Sequence, residues 1–379
     1  MAVPRARAAA PPRPTASGRD APVRLLDLGS LPPIRSQTIY HAVGYAMTAD
    51  APDTIMLVSP DAPYVSIGRH QDVEREVDLA TCARLGLPVV RREVGGGAVY
   101  LDGDQLFTQW IFDSARLPAT VEARFALYCE ALVRTYRGLG IAAEYRPVND
   151  IQVAGRKIGG TGAARMDQAE VVVGSLMFDF DVATMASVLK VPSEKFRDKV
   201  HQTLAAYMTT MRRELGDPPP RATVVAAYLT ACSDVLGRPI EPGELRPDEL
   251  ELAAELDARF AAPDWLHAAG GLRRSGVRIH EGVRVVEGAH KAPGGLIRAL
   301  VVVRDGVIDD IAFSGDFTAQ PATLPADLGD ALVGSPLTEE DLTARVADCC
   351  RRTASETPGV DVHDWVAAVL QATTMEMPA

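Results

Sequence analysis

Nothing in the chain suggests a cysteine-built scaffold. The five cysteines, Cys82, Cys129, Cys232, Cys349 and Cys350, are odd in number, form no Cys-x-x-Cys pair and are spread over 379 residues. A disulfide framework or a structural zinc site is therefore not expected. The seven histidines show no His-x-x-x-His spacing, which leaves them as structural or surface groups. Positive charge is not in excess either. The formal net charge is -11, so nonspecific attraction to nucleic acid phosphates or anionic lipid is not expected. No apolar run approaches the roughly 20 residues needed to cross a bilayer. Residues 1–22 are rich in Ala, Pro and Arg but lack the continuous apolar segment of a secretory signal. They are expected to be a disordered leader, and a reducing cytoplasm is the expected location. No internal repeat is apparent.

What remains is ordinary globular sequence, with 47% hydrophobic and 23% charged residues. The length suffices for two domains and a sizeable core. Short β-rich runs at Thr54–Ser59, Tyr64–Ile67, Pro88–Arg91, Ala98–Leu101 and Phe107–Phe112 alternate with turn signals. An amphipathic helix follows, with Thr120 as its cap and Gly140 beyond its end. Val121, Phe125, Tyr128, Leu132, Tyr136 and Leu139 share one of its faces. A hairpin is expected to join Asp150–Val153 to Lys157–Ile158 around Ala154-Gly155. Glu170–Phe178 reads as a strand, and residues 182–190 and 221–236 as helices. Beyond Pro263 the composition shifts. Strands are expected at Val277–Ile279 and Val283–Glu287, then a hairpin pairing Ile297–Val303 with Val307–Phe313 across Asp305-Gly306, a dipeptide favoured in tight β turns. Residues 338–351 read as a helix. The expected organisation is a mixed-sheet α+β catalytic domain at 23–262, a small α+β domain at 263–350 and a tail at 351–379.

Two stretches have the composition of a reactive site. The first is Arg91-Arg92-Glu93-Val94-Gly95-Gly96-Gly97-Ala98-Val99-Tyr100. Three glycines before a β run leave backbone amides bare, so a phosphate or carboxylate can approach with no Cβ in the way. The arginines add fixed positive charge and bidentate donors. A plain hairpin turn with surface arginines is the alternative. The second runs from Asn149-Asp150 through Gly155-Arg156-Lys157-Ile158-Gly159-Gly160-Thr161-Gly162. A strand lysine beside a phosphate-binding loop can neutralise charge while a carboxylate attacks an α-phosphate. Asp150, with Asn149, offers oxygen to Mg²⁺, a hard cation. A solvated hairpin lysine is the alternative here.

Together the two stretches resemble the lipoate-protein ligase A family, within the biotin/lipoate ligase superfamily. The resemblance rests on Arg92-x-x-Gly-Gly-Gly-x-Val-Tyr, on Asn149-Asp150 and on Gly155-Arg156-Lys157-Ile158. Ile67-Gly68-Arg69-His70-Gln71-Asp72 and Val191-Pro192-Ser193-Glu194-Lys195-Phe196 extend it. It runs from about Thr54 to Gly216. A weaker match, at Gly306-Val307-Ile308 and Gly315-Asp316-Phe317, covers the small domain.

The resemblance implies a biotin/lipoate-ligase-like α+β fold and a two-step reaction. Lipoate and MgATP would give lipoyl-adenylate and pyrophosphate. A lysine of an acceptor lipoyl-domain protein, such as a 2-oxoacid dehydrogenase subunit or a glycine-cleavage carrier, would then take the acyl group. It implies Lys157 as the catalytic lysine at both carboxylate and phosphate. It places Arg92, Gly97, Ala98, Val99, Tyr100, Asn149 and Asp150 at ATP, Asp150 near the metal, and Gly95 and Gly96 at the acyl pocket. In the family the small domain assists activation and swings between steps.

Three segments depart from the family pattern. Leu101-Asp102-Gly103-Asp104-Gln105 stands where relatives carry His-Asp and then Gly-Asn. Val172-Val173-Gly174 stands where a His-His-Gly is common, and no acidic residue is evident within Ala42–Met47. These changes touch acyl or acceptor choice more than the lysine and glycine loop. Two rivals stay open. An octanoyl or lipoyl transferase shares this fold but passes the acyl group through an activated thiol. Cys129 reads as a packed helix residue instead. A non-catalytic lipoate- or carrier-binding protein would not demand Lys157.

Overall fold

The computed structural model describes residues 21–191, 193–268 and 283–374. Most of the expected leader and the expected strand Val277–Ile279 lie outside the described residues. The larger unit is built on a six-stranded sheet. Its order is Gly162–Met166, Ala169–Met177, Gln105–Asp113, Thr54–Pro60, Val23–Leu31 and Ile240–Pro242. Val23–Leu31 pairs in parallel with both its neighbours, and the other pairings are antiparallel. The sheet is therefore mixed, with helices on both faces, as expected.

Every residue of the central strand Gln105–Asp113 is buried. Successive side chains alternate between the faces. Leu106, Trp110 and Phe112 join the core under helix Val121–Gly138, while Phe107 and Ile111 join the core under helix Pro33–Tyr45. Thr120 caps the former helix by accepting from Ala123 N at 3.3 Å. Two three-stranded sheets stand beside the central one. One holds Val89–Arg91, Tyr64–Ile67 and Val99–Leu101. The other holds Glu144–Arg146, Asp150–Val153 and Arg156–Gly160. These carry the two sequence motifs.

The smaller unit pairs strands Val283–Ala292, Gly295–Arg304 and Val307–Gly315. Asp305 and Gly306 both take positive φ, +50° and +84°, as the favoured two-residue hairpin turn requires. Helices Leu324–Leu332 and Glu339–Thr353 pack on this sheet. So does helix Val362–Thr374, which brings Trp365 into the same core against Phe313 and Phe317. The segment expected as a tail after 350 thus completes the small core, which reaches Ala372. Apolar spacing at Trp365, Val366 and Val369 carried that signal.

The units meet through polar and aromatic contacts. Gly315 N donates to His70 O at 2.9 Å, and the His70 ring stacks on Phe317 with centroids 5.1 Å apart. Arg124 pairs with Glu170 at 3.0 Å, both buried, and Gln320 Nε2 donates to the same carboxylate at 3.3 Å. Glu356 accepts from Val121 N at 2.8 Å, capping the helix of the larger unit.

Candidate active site

A cavity of about 350 Å³ opens between the glycine loop, the Lys157 hairpin, the central sheet and helix Glu194–Tyr207. The motif residues Arg92, Gly95, Gly96, Gly97, Ala98, Val99, Tyr100, Asn149 and Lys157 all line it. The two stretches, about 50 residues apart in sequence, therefore share one wall system.

Arg92 shapes the loop. Its guanidinium is buried and donates to Gly95 O at 2.9 Å, Gly97 O at 2.8 Å and Ser66 Oγ at 3.2 Å. Burial pulls its pKa below the ordinary arginine value. Gly96 holds φ +91°, a backbone state that only glycine adopts freely. Gly95 is held for a different reason. A Cβ there would stand 2.7 Å from Phe317 O and 2.9 Å from Thr318 Cα, both on the smaller unit. Arg91 points away, into carbonyls of Gly68, Arg69, Trp265 and Leu266. Burial lowers its pKa to about 10.

Lys157 sits on strand Arg156–Gly160, after a turn in which Ala154 and Gly155 both take positive φ. Its Nζ pairs with Asp150 Oδ1 at 2.6 Å, with the side chains 29% and 20% exposed. The ammonium is thus held in place yet open to a ligand. Tyr207 OH donates to Asp150 Oδ2 at 3.2 Å, so both carboxylate oxygens already have partners. Asn149 Nδ2 donates to Thr161 O at 2.7 Å, which ties the start of the hairpin to the glycine run after Lys157. No group of three or more His, Cys, Asp or Glu side chains suited to a metal occurs among the described residues. A magnesium ion at Asp150 would have to draw most of its oxygens from phosphate and water.

No cysteine lines the cavity among the described residues. Cys129 is packed behind Thr161, and burial pushes its thiol up to about 12. Cys82 and Cys232 are pushed up to about 11 and about 12 by the same cause. These are the properties of inert core thiols.

Several lining residues lie outside both motifs. Gln37 and Tyr40 reach the cavity from helix Pro33–Tyr45, Gln109 from the central strand, Met185 from helix Val182–Val188, and Tyr207 and Met208 from the end of helix Glu194–Tyr207. For Gln109 a signal existed, since it and Gln105 set two amides beside Phe107 and Ile111 on one face of strand Gln105–Asp113. The others come together only through tertiary packing. Leu101 also lines the cavity, so its departure falls at the site itself.

Residues 39–233 match the family model of the lipoyl protein ligase A/B catalytic domain. Residues 286–361 match that of the bacterial lipoate protein ligase C-terminus. The octanoyltransferase LipM of Kyrpidia tusciae is 29% identical over 266 residues, 64% of this chain and 97% of its own length. The bipartite lipoate protein ligase of Thermoplasma acidophilum superposes with a TM-score of 0.61 at 26% identity, covering 68% of this chain and all of that one. Plasmodium falciparum LipL1 in complex with lipoate shares the fold over 85% of this chain and 93% of its own, with a TM-score of 0.62 at 15% identity.

Proposed function

The chain belongs to the lipoyl protein ligase A/B catalytic-domain family, and from that membership we propose that it is an ATP-dependent lipoate-protein ligase. One observation carries the choice within the family. The cavity presents a positioned lysine and bare glycine amides, but no thiol among the described residues. An acyl group passed through a thioester needs an activated cysteine in reach. An acyl-adenylate needs only the two anions brought together. The match at 286–361 supports the same choice.

In the first step a carboxylate oxygen of lipoate attacks the ATP α-phosphorus, and pyrophosphate leaves. Lys157 Nζ offsets the charge of the two anions as they meet. The amides of the Gly95–Gly97 loop receive anionic oxygen, and Ala98, Val99 and Tyr100 bound the nucleotide. Arg92 holds the loop in shape from behind. Asp150 would supply an oxygen to a magnesium ion entering with ATP, whose charge would help offset that of the phosphates, while Asn149 fixes the hairpin. In the second step the amine of an acceptor lysine attacks the acyl carbon and AMP leaves, with the amine proton passing to solvent. Acceptors are lipoyl-domain proteins. No helix among the described residues is long and apolar enough to cross a membrane, which is compatible with work in the cytoplasm.

Likeness to LipM over nearly its whole length favours a second reading, ATP-independent octanoyl transfer. It requires one of the buried cysteines to reach the cavity. Pyrophosphate exchange into ATP, with lipoate, octanoate and biotin offered separately, separates the readings. Exchange dependent on lipoate or octanoate supports the ligase. Transfer from an octanoylated carrier without exchange supports the transferase.

A further inference from the structure

Holding the glycine loop in shape and holding it in place are separate tasks. Arg92 does the first, through the loop's own carbonyls at Gly95 and Gly97. The second falls to the residue between Arg92 and Val94. Glu93 N donates to His41 Nε2 at 3.2 Å, across 52 residues of sequence. His41 lies in helix Pro33–Tyr45, whose Gln37 and Tyr40 line the cavity.

The direction of that bond fixes the state of the ring. His41 Nδ1 is bonded to Gln37 O. A carbonyl oxygen only accepts, so Nδ1 carries the hydrogen and Nε2 keeps the lone pair that the Glu93 amide needs. His41 is fully buried, with the Tyr40 ring centroid at 4.1 Å and that of Phe260 at 5.3 Å. Burial pulls its pKa down to about 3, so the ring stays neutral. The Glu93 carboxylate is gripped as well, by Tyr45 OH at 2.5 Å and by Arg259. Those grips act at the end of a rotatable side chain, whereas His41 acts on the backbone itself. The next residue carries the effect onward. Val94 is buried and packs so closely on Gly162 that a Cβ there would stand 2.5 Å from Val94 Cγ1. A displaced Glu93 would therefore change the gap between the two motifs, and with it the point at which the loop amides meet an anion.

We propose that His41 is a positioning residue: its Nε2, by accepting from Glu93 N–H, sets the glycine loop where it receives the phosphates of the nucleotide. His41 stands behind the cavity wall and not in it, so it acts through the loop. The use made of the loop rests on the ATP-dependent reading above, but the bond and its hold on the backbone do not.

Two substitutions divide the ring. His41→Gln keeps an acceptor at the reach of Nε2 and loses the Nδ1 donor. His41→Asn keeps the donor and falls short of Glu93. In His41→Asn the KM for ATP in pyrophosphate exchange should rise about tenfold, the effect of one buried amide left unpaired. Amide hydrogen exchange over 93–97 should quicken with it, while helix Val121–Gly138 keeps its protection. His41→Gln should stay within about twofold of the wild type in both measurements. Equal behaviour of the two variants, or the larger loss in His41→Gln, would mean that the ring only packs and holds Gln37, and would overturn the proposal. The wild type supplies a test that needs no folded variant. Nitrogen-15 NMR of the histidine rings should show His41 protonated at Nδ1 alone, and a ring protonated at Nε2 would overturn the proposal. If the wild type exchanges pyrophosphate with no acid, the ligase reading falls, and hydrogen exchange and the tautomer still decide whether His41 places the loop.

Discussion

Replacing Lys157 with alanine separates a structural lysine from a catalytic one, because the two roles predict effects of different size. The Lys157–Asp150 contact is short, 2.6 Å, but its side chains are 29% and 20% exposed. Solvent-screened pairs of that kind contribute about 0–1 kcal/mol. Asp150 also keeps its bond from Tyr207 at 3.2 Å, so the carboxylate is not orphaned. The strand itself is held by backbone bonds, including Thr209 N to Lys157 O at 2.8 Å, which the substitution leaves intact. The folded state should therefore lose no more than ~1 kcal/mol. Adenylate formation should fall by about a hundredfold or more, or ~2.7 kcal/mol, the effect of removing a preorganised charge at a transition state. Pyrophosphate exchange and thermal unfolding on one preparation measure both. A variant that exchanges like wild type refutes the assignment. A variant that loses exchange only in proportion to lost fold shows that the lysine is structural.

Other substitutions probe separate parts of the account. Gly95→Ala should push the Phe317–Thr318 segment off the loop, read as faster hydrogen exchange at 315–320; unchanged exchange there would mean the contact does not restrain the small unit. Truncation after Ala262 should spare transfer from supplied lipoyl-adenylate while impairing adenylate synthesis, whereas equal damage to both steps would mark the small unit as merely stabilising. Leu101→His should shift the ratio of lipoate to octanoate turnover, or the preference among carriers, with little change in ATP affinity; no shift in either assay would make Leu101 a neutral packing change. Burial lowers the pKa of both His41 and His70 to about 3. Each is neutral when folded and takes up a proton on unfolding, so stability is complete above about pH 6.5 and falls as pH drops towards 3, by up to about 1.4 kcal/mol per unit per histidine. In His70→Gln that slope should shrink by one histidine's share, and an unchanged slope in urea titrations at pH 4–6.5 would contradict the burial argument.

Sequence reasoning reached the elements whose signals are local. Alternating apolar runs marked the strands, and a Thr cap with helical spacing marked Val121–Gly138. Asp305-Gly306 marked a turn whose positive φ pair the dipeptide favours. The glycine loop and Lys157 were legible for the same reason, since bare amides and a strand lysine follow from residue type. Helix Pro33–Tyr45 was not read, because buried residues run almost continuously along it and blur the periodicity. The role of Arg92 was also hidden. Its sequence offers a surface cation, but the fold turns the guanidinium onto the loop's own carbonyls.

The central claim is that this site activates a carboxylate with ATP. Isotope exchange between pyrophosphate and ATP, by the wild-type full chain with magnesium and lipoate or octanoate and no acceptor protein, tests it most directly. The account predicts exchange that depends on the acid and vanishes in Lys157→Ala. Absence of exchange with either acid, alongside octanoyl transfer between carriers that needs no ATP, would contradict it.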